Sequence, residues 1–141
     1  MFLHFIEKRE HKEAFLKLAY RVADSDGFVN RNEWDYLRSW KLELDMEDWE
    51  PGAEDGACSL AELVGDIKEE QIRNLICAEI LLLIYADGNY SEDEREIACE
   101  LQRLFGYSEA TFGLFVDWVK RMDELRVEGI KLILDPAQAR R

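Results

Sequence analysis

The run LICAEILLLIYADGNYSEDE, Leu75 to Glu94, decides the fold. Between Leu75 and Ala86 the only charge is Glu79, so at 3.6 residues per turn no side of a helix here suits water. This helix is expected to be central and buried. Asp87-Gly88 follows, and Gly88 is suited to the left-handed conformation that ends a helix. Ser91, with Glu94 three residues on, makes the S-x-x-E capping box that opens the next helix. The segment spells helix, tight turn, helix.

The same grammar runs outward on both sides. From Glu7 to Ala23 the apolar residues Phe15, Leu18, Ala19 and Val22 recur at helical spacing, and Asp26-Gly27 ends the run. Asn30 with Glu33 caps a second helix striped by Tyr36, Leu37, Trp40 and Leu44, and Val29 and Trp34 stand where a hydrophobic staple clamps the entry. Asp45 to Gly56 carries six carboxylates and no Lys or Arg, with Pro51-Gly52 and Asp55-Gly56 as turn signals, and reads as part of an acidic linker over 45–58. Ser59 and Glu62 open a short helix that Gly65 ends, and Asp66 with Glu69 is expected to open the central one. A helix over Glu92 to Phe105 closes at Gly106. Ser108 then begins a last helical region striped by Phe112, Phe115, Val116, Val119 and Met122 that continues to Asp135; a break near Gly129 stays open. Pro136 to Arg141 reads as a frayed tail.

A shift of 61 residues lays Asp26-Gly27 on Asp87-Gly88, Glu33 on Glu94 and Asn30 on Ser91. The apolar positions follow, with Phe15 on Ile76, Val22 on Leu83 and Trp40 on Leu101. The expectation is an all-α, single-domain bundle of about six to eight helices. Its two helix-turn-helix halves, residues 12–44 and 73–105, are related by a pseudo-twofold.

Composition limits the function. At 141 residues and 48% apolar, the chain has material for one core, while a net charge of −13 excludes nucleic acid and disfavours an anionic membrane. Cations or a protein partner with a basic surface fit better. The start, Met1 to Ile6, is too short for a leader and runs at once into Glu7, Lys8, Arg9 and Glu10. No apolar run reaches the ~20 residues of a membrane span, so a cytoplasmic chain without membrane insertion is expected. Cys58, Cys77 and Cys99 are odd in number and lack metal-site spacing, so they read as reduced thiols. No nucleophile-base pair, phosphate loop or nucleotide motif points to an enzyme.

The two turns read ADSDGFVNRNE from Ala23 and YADGNYSEDE from Tyr85. They resemble the hallmark of the TerB-like family, the tellurite-resistance TerB proteins and the related domain of some membrane-anchored J-domain co-chaperones. That hallmark is an apolar helix, an A-D-G turn, a small polar cap and a following Glu. The resemblance covers most of the chain. It implies a non-enzymatic helical domain, linked to metal or chemical stress, with two acidic clusters that bind cations. Carried over by position, the cluster residues are Asp26, Glu33, Asp87 and Glu94, with Asp24 enlarging the first.

The residues themselves permit two readings. Asp26 and Asp87 serve as turn residues, and Glu33 and Glu94 as caps, on helix geometry alone. Yet an Asp at a helix C-terminus faces the negative end of the dipole at a cost of roughly 0.3–1 kcal/mol, and both halves repeat that placement. The first loop also follows a calcium loop through Asp24, Asp26, Gly27, Val29, Asn30 and Glu33, although Val22 and Leu83 stand where the first Asp belongs. Calcium takes about six to eight oxygens. Any divalent cation here, calcium foremost, must therefore borrow backbone or water. Glu79, set among apolar neighbours, is expected to reach an Arg or Lys or to find solvent.

Overall fold

The computed structural model describes residues 1–24, 31–52, 58–85 and 92–135, and of residues 31 and 32 the backbone alone. All regular structure among them is helical: α1 (Arg9–Ala23), α2 (Arg31–Glu43), α3 (Leu60–Val64), α4 (Glu70–Ile84), α5 (Glu92–Phe105) and α6 (Glu109–Leu134), preceded by a 3-10 turn at Leu3–Phe5. The expectations resting on Asp26-Gly27, Val29, Asn30, Asp87-Gly88, Ser91, Asp55-Gly56 and the tail lie outside the described residues.

The core gathers on α4, as an all-round apolar helix requires. Every residue from Ile76 to Leu81 is buried, and so are Leu83 and Ile84. Against it α1 sets Phe15, Leu18, Ala19 and Val22 and α5 sets Ala98 and Leu101, while α2 packs Leu37, Trp40 and Leu44 into the same core from the side of α1, the Trp40 ring 4.9 Å from that of Phe15. Trp34 faces water at 48% exposure, its ring edge-on to Tyr20 at 6.4 Å. No helix of the described residues is long and apolar enough to cross a membrane.

Helix ends follow local chemistry. Ser59 Oγ accepts the Glu62 N–H at 3.2 Å to start α3, and Ser108 Oγ accepts that of Thr111 at 3.1 Å to start α6. Gly106, at φ 74°, stops α5. The start of α4 departs from expectation: Asp66 does not cap it, and the cap residue is Glu69, without a side-chain cap bond. Buried Ile67 explains the delay, since its N–H is tied to Val64 O at 3.1 Å and its carbonyl accepts Arg73 Nε–H at 2.7 Å. The Glu69 carboxylate turns instead to Lys8.

The acidic segment after α2 does not begin as a linker. Met46 N–H bonds Lys41 O at 2.8 Å and Asp45 N–H bonds Leu42 O at 3.1 Å, a Schellman cap with Asp45 in the left-handed position at φ 58°. Met46 is buried and the Trp49 ring lies 5.7 Å from that of Tyr20, so apolar residues spaced among the carboxylates dock this part on the body.

The helix α6 runs unbroken through Gly129. Val119 is buried and Phe112, Phe115 and Val116 pack on the core, but from Glu124 onward all but Gly129 stand exposed. Ile133 and Leu134 are 78% and 77% exposed. The apolar stripe outlasts the body it packs against.

The repeat is present in the helices. Arg9 to Glu70 and Ala23 to Ile84, the ends of α1 and α4, are both steps of 61, and α2 and α5 begin 61 apart. The C-cap residues Asp24 and Tyr85 share φ −94° with ψ 8° and 9°, and their N–H groups meet equivalent carbonyls, Tyr20 and Val22 in one, Leu81 and Leu83 in the other. Helices α1 and α4 form the most extensive pairing. At its end Lys8 Nζ meets Glu69 Oε1 at 3.1 Å. A residue thus pairs with its own repeat equivalent.

Candidate functional site

Helix ends position the acidic residues. Asp24 caps the C-terminus of α1 and is exposed, whereas Tyr85 takes the equivalent place after α4, so only the first turn carries this extra carboxylate. Glu33 lies in the first turn of α2 and Glu94 in that of α5, and both are buried, at 6% and 8% exposure. Both engage other groups of the protein. Asp26 and Asp87 lie outside the described residues.

Carboxylate oxygens are hard donors, which suit calcium or magnesium and not soft thiophilic ions. Among the described residues no group of three or more His, Cys, Asp or Glu side chains converges to hold a metal. Donor chemistry fits a hard cation. Donor number does not reach a full shell from the described side chains.

Glu79 corrects its expectation. Among the described residues it finds neither Arg nor Lys, and it finds no solvent: at 0% exposure its Oε1 accepts the Phe2 N–H at 2.6 Å and pairs with the Met1 amino group at 3.0 Å. Its Oε2 has no hydrogen-bond partner among the described residues. Glu79 adjoins a cavity of about 570 Å³ whose wall includes Tyr36, Trp40, Tyr85, Met122 and Arg126. Arg126 is committed there to Asp123 at 2.8 Å. Burial raises the Tyr36 phenol above its ordinary value, so it stays neutral at physiological pH.

A larger cavity, about 1040 Å³, opens where the start of α4 meets the turn into α6. Its polar groups include Lys68, Arg73, Asn74 and Tyr107. Tyr107 donates its hydroxyl to Asn74 Oδ1 at 2.7 Å, and burial holds its phenol well above the usual range. Sequence reading missed these residues because no local motif joins positions 68–74 to 107; only the packing of α4 on α6 does. The one linear signal was Ser108, which fixes where α6 begins. No family model, curated protein or solved structure matches this chain.

Proposed function

We propose that this chain is a TerB-like, non-enzymatic cytoplasmic accessory protein that binds a divalent cation, calcium foremost, at its two acidic turns, in a response to metal or chemical stress. The observation that carries this reading is the paired burial of Glu33 and Glu94 at repeat-equivalent positions. A capping glutamate needs only to reach back over one turn to the N-cap N–H. Withdrawing a carboxylate from water is costly unless a hydrogen bond or cation compensates; both carboxylates engage protein groups, and their burial in both halves of a chain carrying −13 repeats a place where a cation would add to that compensation.

The test is a calorimetric and thermal titration with calcium, magnesium, manganese and zinc. The parent is expected to take up calcium with a rise in melting temperature, since an ion that binds only the folded state stabilises it. Asp26→Asn keeps an oxygen for the turn while deleting a charge, so it should lose most of that rise. The second turn, without an equivalent of Asp24, should respond less. Equal shifts in parent and Asp26→Asn at millimolar calcium would overturn the site.

A second reading, an acidic interaction module whose turns are purely structural, is favoured by α6. Leu125, Ile130, Leu132, Ile133 and Leu134 are large, apolar and exposed on one continuous helix. The same titration separates the two, because this reading expects no cation response at all.

A further inference from the structure

We propose that the cavity between the start of α4 and the first turns of α6 is a binding site for a small organic anion, a carboxylate or phosphate head on an apolar body. Its volume, about 1040 Å³, is that of a small-molecule cleft, and Leu114, Phe115 and Trp118 give it an apolar wall. Leu114 is 70% exposed, an apolar side chain left in water at the rim.

The charge of the lining is the reverse of the molecule's. Lys68 and Arg73 against Glu70 leave the cavity one positive charge in excess, on a chain of −13. Arg73 is also held in one orientation. Its Nε–H is bound to Ile67 O at 2.7 Å and its guanidinium carbon lies 5.8 Å from the Phe105 ring centroid, beside the cavity. Neither Arg73 nor Lys68 has a carboxylate partner among the described residues, in a protein where 31 acidic side chains compete for 18 basic ones. A guanidinium fixed through Nε presents its terminal nitrogens as a fork, the geometry that takes a carboxylate or phosphate in two parallel bonds. Asn74, its oxygen taken by Tyr107, keeps its amide nitrogen as a further donor. The local excess of positive charge sets the attraction for an anionic head, since the carboxylates farther off are screened within about 10 Å. The apolar wall then selects for a tail.

The experiment is calorimetric titration of the whole chain with octanoate and with octyl phosphate, each below its micellar range, beside 1-octanol and octylamine. Saturable binding of at least one anion is expected, with the octanol and the amine at least tenfold weaker. Which anion binds better identifies the head group. Arg73→Gln should weaken binding about tenfold to a hundredfold, the scale of one lost charge-assisted hydrogen bond. Because Arg73 also ties down Ile67, the exposed Lys68→Gln is the second variant, expected to weaken binding with an unchanged melting temperature. Failure of both anions to saturate, octanol binding as tightly as octanoate, or unchanged affinity in both variants would each overturn the proposal.

Discussion

Asp45 sits in the left-handed region at φ 58°, where a side chain with a Cβ is strained and glycine or asparagine is favoured. It also places a carboxylate against the negative end of α2. Asparagine tolerates the conformation equally and carries no charge, so Asp45→Asn should stabilise the fold by about 0.3–1 kcal/mol in chemical denaturation. A change that forbids the left-handed backbone, Asp45→Val, should cost about 1–2 kcal/mol. The residue was hidden in the sequence because six carboxylates in a row of turn signals spell a linker, and only the buried Met46 that follows shows the chain turning back. Glu79 was hidden for a related reason. Its isolation among apolar residues announced that it needed a partner, but the Phe2 N–H that supplies one lies 77 positions away and comes from the 3-10 turn. By contrast Ser59, Gly106 and Ser108 were legible because each acts within its own turn of helix.

Helix α4 shows what a pattern can state. From Ile76 to Ile84, where Glu79 is the one polar side chain, it had to be enclosed, and every residue of that stretch but the half-buried Leu82 is buried. Leu83 is 1% exposed, so Leu83→Ala should cost about 2–5 kcal/mol, the range for emptying a buried leucine site, and a loss below about 1 kcal/mol would show that neighbours close over the gap. The last helix shows what a pattern leaves out. Its stripe correctly marked an apolar face from Phe112 to Ile133, but periodicity says nothing about what lies opposite. The body ends near Met122 while the stripe continues, which is why those late residues are exposed rather than core.

For the molecule as a whole, acid–base behaviour follows from burial. Burial pushes the Cys77 thiol from 9.0 up to about 12, and the Tyr107 phenol moves upward for the same reason. Folded, both keep their protons; unfolded, both release them at ordinary values. Stability should therefore be flat in these groups below about pH 8 and fall as pH climbs from 9 toward 12, because the unfolded state gains by ionising first. Urea midpoints at pH 7 and pH 10 test this, and Tyr107→Phe should shrink the drop. The repeat was legible at this scale because helix lengths, apolar positions and turns shift together by 61. The cavities were not, since they arise from contacts between helices rather than within them. The acidic turns were visible as a motif, yet the burial of Glu33 and Glu94 is not something a capping pattern states. The Lys8–Glu69 contact carries one more consequence. Were the halves separate and identical, a residue beside their axis would meet its own copy, lysine against lysine or glutamate against glutamate, and the seam would repel. Joined in one chain, the two positions are free to differ, and they differ in sign. At this one surface contact, which solvent screening keeps weak, the covalent link lets a would-be symmetric seam become heterotypic.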